Sequence, residues 1–334
     1  MARPAGKNSI AVFLAAVLLF GGGLSFALET GTQQQTEKSI YARLRLDSIL
    51  KTRSDSGLLA YYNDKNEPAN FRAQALETIL KDRPPPLSTS ERILLQNGLA
   101  APEPEIRTIS ARLIGTLKET ALIRQVLEMA DSDPDPGVKA EALITTRPWT
   151  KISHLYFLEK AVESESLKVR VEGVNSLGNL SAGELNPAIV GRVETFMGQG
   201  NPPELRKAAM GALYVWKRLE WEDLRDTMLD PGAPEGLRIY AMELSDKLPQ
   251  ALRVRMDLLR DVATSETSLR FVWQAFRRIK NTIKNDLDLN RSLAKLLSTT
   301  TQSNTAVDEI ANYLKAQGYT LLRRDDGGWL VRGI

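Results

Sequence analysis

The sequence predicts an all-α solenoid, a stack of helical hairpins, and three observations carry that prediction. One phrase recurs at nearly constant spacing along most of the chain. Within each copy the apolar residues keep a helical period. Upstream of each copy lies a second apolar stretch of helical length.

The clearest copy is Pro203 to Leu219, PELRKAAMGALYVWKRL. With Arg206 as anchor, its counterparts are Arg72, Arg107, Lys139, Arg170, Arg238 and Arg270. The separations run 35, 32, 31, 36, 32 and 32 residues. An apolar residue precedes every anchor: Phe71, Ile106, Val138, Val169, Leu205, Leu237 and Leu269. Three residues past the anchor the side chain is small (Ala75, Ser110, Ala142, Gly173, Ala209, Ala241), with Trp273 departing. Offsets −1, +3 and +4 share one helix face, so each phrase carries a buried stripe.

Proline precedes or opens many copies (Pro68, Pro104, Pro136, Pro203, Pro234). It suits a first helical turn, where its missing N–H costs nothing. The upstream helices are Ser88–Leu99, Thr120–Ala130, Ile152–Val162, Pro187–Met197, Glu220–Leu229 and Gln250–Ala263, and Ser88 with Glu91 forms a capping box. A hairpin of this kind cannot bury its stripe alone and stacks on its neighbours.

The apolar-Arg-x-x-Ala phrase resembles that of the HEAT-repeat family in its bacterial HEAT-like form, over about residues 56–281. The resemblance implies a right-handed α-solenoid of about seven or eight HEAT-like hairpins that serves as a curved binding surface. Trp273 at a small position, and Ser245 and Arg277 at the apolar +7 position, depart from the pattern.

Four segments follow. Residues 1–27 read as a signal peptide or N-terminal membrane anchor: Arg3 and Lys7 precede the apolar run Ile10–Phe20, and Ser25-Phe26-Ala27 is a small-x-small cleavage site. If uncleaved, residues 10–28 attach the chain to the inner membrane. Both readings put the repeats on its periplasmic side, because the positive charge comes first. Residues 28–39 read as a polar linker and 40–281 as the solenoid, capped by the amphipathic stretch Ile40–Leu50. Residues 282–334 read as a divergent last repeat plus a β-hairpin. There Leu287–Leu297 and Val307–Gln317 are helical, and Gly318 is a C′ residue. Asp325-Asp326-Gly327-Gly328 then joins two β-prone runs, a hairpin that must dock because it is marginal alone.

Composition narrows the function. The 334 residues include no cysteine, which excludes disulfides, thiolate metal sites and a cysteine nucleophile. Without residues 1–27 the chain has 42 basic against 41 acidic residues, a weak footing for nucleic acid. His154 is the only histidine and reads as structural; a multi-histidine metal cluster is excluded. Asp131, Asp133 and Asp135 match the start of a calcium loop, but Pro136 and Ala142 occupy the positions that need Gly and Glu. They read as an acidic turn opening a helix. Ser48-x-x-Lys51 and Ser292-x-x-Lys295 lack the companion motifs of serine-lysine enzymes.

No catalytic, cofactor or metal residues are therefore assigned. The expectation is a non-enzymatic scaffold or adaptor of the bacterial cell envelope, holding a protein partner along the concave face of its second helices. The alternatives are a tethered membrane-surface protein and, behind it, an enzyme built on HEAT-like repeats. Candidate partner-binding residues are Tyr214, Trp216 and Trp221, near the junction of two repeats, and Arg277, Arg278 and Lys280, a basic rim.

Overall fold

The computed structural model describes residues 26–248, 252–265, 268–282, 286–301 and 304–332. Residues 1–25 of the export or anchor segment therefore lie outside the described residues. Among those described, no helix is long and apolar enough to cross a membrane. The fold is all-α with a C-terminal β-hairpin, and it divides into two compact units, one ending at Leu113 and one beginning at Ile114.

The first unit opens with α1 (Phe26–Thr52), which packs on α2 (Asp55–Asn63) and α3 (Ala69–Leu80). Residues 28–39, expected as a polar linker, are helical within α1. Glu37 and Lys38 are long unbranched residues that lose little rotamer freedom in a helix. The stretch Ile40–Leu50 buries only part of its apolar side chains. Ala42 and Leu46 are buried, whereas Ile40 and Leu44 are exposed. The Tyr61 hydroxyl donates to the Ala42 carbonyl at 2.9 Å, holding α1 on α2.

Next come α4 (Thr89–Leu99) and α5 (Pro104–Thr116), the helix in which the two units divide. The capping box is present: the Glu91 N–H donates to Ser88 Oγ at 3.3 Å, and the Ser88 N–H to Glu91 Oε2 at 2.8 Å. Hydrogen bonds from Ser88 hold the Glu91 carboxyl below the usual glutamate range. Ser88→Ala is expected to cost about 1 kcal/mol near neutral pH. A depressed carboxyl contributes stability above its unfolded pKa and loses it as pH falls through the folded one. The penalty should therefore shrink in acid, which urea midpoints at pH 7 and pH 3 will check.

The second unit continues the hairpins: α6 (Ile123–Ser132) with α7 (Pro136–Thr146), α8 (Leu155–Val162) with α9 (Leu167–Leu177), and α10 (Pro187–Thr195) with α11 (Pro203–Val215). Then follow α12 (Trp221–Leu229) with α13 (Glu235–Ser245), α14 (Leu252–Ser265) with α15 (Leu269–Ile279), and α16 (Leu287–Thr299) with α17 (Thr305–Ala316). Each helix packs on its hairpin partner, and the second helices α7, α9, α11, α13, α15 and α17 pack side by side in order. Gly318, at φ 90°, ends α17 as expected. Strands β1 (Thr320–Arg323) and β2 (Trp329–Arg332) pair antiparallel, with Arg323 opposite Trp329. They dock on α17 and α16 respectively.

In five of the seven copies the recurring cation has a local structural task, donating to carbonyls at or just past the C-terminal end of the first helix of its own hairpin, groups that no helical N–H reaches; Arg206 instead lies 3.6 Å from Asp230. Arg72 Nε reaches the Tyr62 carbonyl and Arg238 Nε the Met228 carbonyl, both at 2.8 Å. Lys139 Nζ reaches that of Asp131 at 2.6 Å, and Arg107 those of Ala101 and Pro102. Arg170 reaches that of Ser164 at 2.9 Å. The acidic turn is likewise local: Asp135 Oδ1 caps α7 by accepting from Gly137 and Val138 N–H.

The seventh copy is out of register with its sequence anchor. Arg270 is exposed, while Phe271, Val272, Ala275, Phe276 and Ile279 are buried. Those residues occupy offsets −1, 0, +3, +4 and +7 from Val272, so the structural anchor position is two residues later. Trp273 and Arg277 then fall on the outward side, which removes both departures. Helix α17 repeats the stripe around Val307, with Ala306, Ile310, Ala311 and Leu314 buried. The divergent segment is thus a further hairpin of the same build.

Candidate partner-binding face

Successive residues turn about 100° round a helix axis. Offsets near +1, +5 and +8 therefore point away from the buried −1, +3, +4, +7 stripe. On α11 these are Lys207, Gly211 and Tyr214, and on α15, counted from Val272, they are Trp273, Arg277 and Lys280. On α13 Ile239 at +1 is buried, and the outward residues are Tyr240, Glu243 and Lys247, at +2, +5 and +9 from Arg238. The outward face of three adjacent second helices thus alternates aromatic rings with cations.

Contacts across this face link one helix to the next. Lys207 Nζ lies 4.9 Å from the Tyr240 ring centre, and Lys247 Nζ lies 5.7 Å from that of Tyr214. Such cation–ring contacts are weakly attractive where exposed. Gly211 makes room for this arrangement, since a Cβ there would lie 3.1 Å from the Tyr240 hydroxyl. Burial, with Glu243 nearby, pushes the Tyr240 hydroxyl pKa up. Lys207, Lys217 and Lys247 have no carboxylate partner among the described residues. Below Tyr214 opens a cleft of about 590 Å³ between the ends of α11 and α13, lined by Val215, Lys217, Glu220, Trp221 and Lys247 among others.

The candidates from sequence separate here. Tyr214 is half-buried and stands on the face. Trp216 is 5% exposed and turned inward, its Nε1 donating to the Leu180 carbonyl at 2.9 Å. Trp221 is equally buried and only walls the cleft. Both tryptophans fill the seam between hairpins.

The basic rim is neutralised where it stands. Arg278 Nε pairs with Asp246 at 2.7 Å, and Lys280 Nζ with Glu309 at 3.2 Å. Arg277 lies 4.8 Å from the Trp273 ring centre and 3.9 Å from Glu309. Burial disfavours the charged form of Glu309, but Lys280, the Trp273 N–H and Arg277 outweigh it and hold the carboxyl below its ordinary range. Of the three, Arg277 remains half exposed on the face.

Sequence reasoning missed Lys207, Tyr240, Lys247 and Trp273. The signal was present as the complement of the buried stripe, and as a glycine inside a helix whose neighbours are good helix formers.

No protein-family model and no curated protein matches the chain. Among solved structures, the X-ray structure of YibA from Escherichia coli aligns over 88% of this chain and 99% of its own, with a TM-score of 0.50 at 16% identity. The chain is similar in fold to YibA. At that identity the likeness concerns architecture alone, and it supports the reading of the helical hairpins as an α-solenoid.

Proposed function

We propose that this chain is a non-enzymatic scaffold of HEAT-like type in the bacterial cell envelope, holding a protein partner along the outward face of its second helices. The single observation behind this reading is the run of aromatic residues and cations across α11, α13 and α15, with Tyr214, Tyr240 and Trp273 beside Lys207, Lys247 and Arg277. Aromatic and arginine side chains are the residue types that dominate interface energetics. The scaffold supplies a preorganised surface and no chemistry, so no cofactor enters the reading. Placement in the envelope rests on the basic-then-apolar order of residues 3–20.

Capture from envelope extract tests it. The wild-type chain is expected to retain a stoichiometric partner. The variant Tyr214→Ala, Lys247→Glu, Arg277→Glu should fold normally and lose at least about tenfold in affinity, through one ring and two reversed charges. Undiminished retention by the folded variant overturns the assignment of this face. Absence of any partner for the wild type overturns the scaffold reading.

A further inference from the structure

A cavity of about 400 Å³ sits among the first helices of the second unit, and its residues are separate from those of the partner-binding face. Ile123 and Leu127 of α6 form its buried apolar floor, while Trp149 and Phe157 add half-buried aromatic walls. Its volume lies within the range of small-ligand sites, which combine apolar walls with a few convergent polar groups.

Two such polar groups, His154 and Lys151, line it. His154 Nδ1 is buried and has no hydrogen-bond partner among the described residues. Lys151, at the start of the 3₁₀ turn that carries His154, lines the same cavity and has no carboxylate partner among the described residues. Arg124, the remaining charged residue of the lining, is paired with Glu128 at 3.1 Å. Burial, and next the charge of Lys151, push the imidazole pKa down, which favours a neutral ring beside the Lys151 ammonium. Satisfied core histidines look different: their ring nitrogens are bonded.

We infer that the cavity formed by Ile123, Leu127, Trp149 and Phe157 binds a carboxylate carried on an aromatic or branched apolar body, with Lys151 and His154 receiving the anionic head. The carboxylate accepts from the Lys151 ammonium and from the imidazole N–H. The apolar body displaces water from the floor. A negative charge at this point reverses the local balance and favours the imidazolium, so binding takes up a proton at His154. The carboxylate has two sources, a free aromatic acid or the C-terminal residue of a polypeptide. The site does not depend on the partner reading of the second helices.

His154 is the chain's only histidine, so its ring signals in an NMR spectrum of the full-length protein are unambiguous. The probes are 3-phenylpropionate, the neutral 3-phenylpropanol, and a tripeptide ending in phenylalanine with a free or an amidated C-terminus. The acid is expected to move the ring signals saturably and to raise the His154 pKa by about one pH unit. The alcohol should bind about tenfold more weakly and leave that pKa unchanged, and Lys151→Ala should weaken the acid about tenfold without affecting the alcohol. Tighter binding of the free-C-terminal peptide than of the acid supports a polypeptide end as the source; the reverse order supports a small molecule. Ring signals unmoved by both carboxylate probes at millimolar concentration overturn the inference. So does equal binding of acid and alcohol with no rise in pKa.

Discussion

Gly173→Leu should destabilise the second unit by about 3 kcal/mol, the upper end of ordinary overpacking. Even alanine should be unfavourable there. In an open helical position, glycine to alanine gains roughly 1 kcal/mol of propensity. At Gly173 an added Cβ would lie 2.8 Å from Ala161 Cβ, and 3.1 Å from both the Ala161 carbonyl carbon and the Val162 nitrogen. Two of those three atoms are backbone, so relief requires α8 and α9 to part. The contact therefore outweighs the propensity gain, and Gly173→Ala should come out about 1 kcal/mol less stable. Gly191, inside α10, has nothing within 4 Å of the equivalent point. Gly191→Ala should accordingly stabilise by about 0.5–1 kcal/mol. Urea midpoints by far-UV circular dichroism will give both signs. A stabilising Gly173→Ala would mean the small +3 residue is not a close-approach site.

The same contact explains why so much of the fold was legible. A small residue at +3, an apolar residue at −1 and a cation between them each answer a local demand: close approach, a buried stripe and unsatisfied carbonyls. When one short phrase carries all three demands at a spacing near 33 residues, the period shows in the letters themselves. The Ser88–Glu91 box and the Gly318 stop were readable for the same reason, since their partners are a few residues away.

Reading failed where a local pattern was satisfied by accident. Leu269-Arg270 imitates the apolar-cation pair, but the stripe that α15 buries begins at Phe271. Burial depends on what α15 meets in space, and no residue of the phrase itself records that. The polar run 29–39 failed in the opposite direction. It has no apolar signal, yet it belongs to a helix whose far end is anchored by Ala42 and Leu46. The face itself is only half legible. Tyr214 and Arg277 could be singled out as an aromatic and a cation, but their relation to Tyr240 and Trp273 needs neighbouring helices placed side by side. His154 was the most misleading residue, because a lone histidine in an apolar context gives no sign that it lines a cavity beside Lys151.

Trp216→Ala should be the most damaging single substitution among the residues first read as partner contacts, costing about 3–5 kcal/mol. The indole is 5% exposed, and its N–H donates to the Leu180 carbonyl of the preceding hairpin at 2.9 Å. The substitution therefore leaves a cavity in the seam and strips a carbonyl of its donor. Trp216→Phe separates the two effects: most of the apolar volume stays, and the remaining loss of about 1–2 kcal/mol reports the unpaired carbonyl. Tyr214, two residues earlier, gives the contrast. It is half-buried with an exposed cation over its ring, so Tyr214→Ala should cost less than about 1 kcal/mol of stability. Under the proposed function the two variants fail differently. Tyr214→Ala weakens partner capture at full helicity, whereas Trp216→Ala lowers the urea midpoint and loses partner only as far as it unfolds. If Trp216→Phe instead kept wild-type stability and abolished capture, the indole would have to leave its seam to meet the partner, and the division between seam and face would fall.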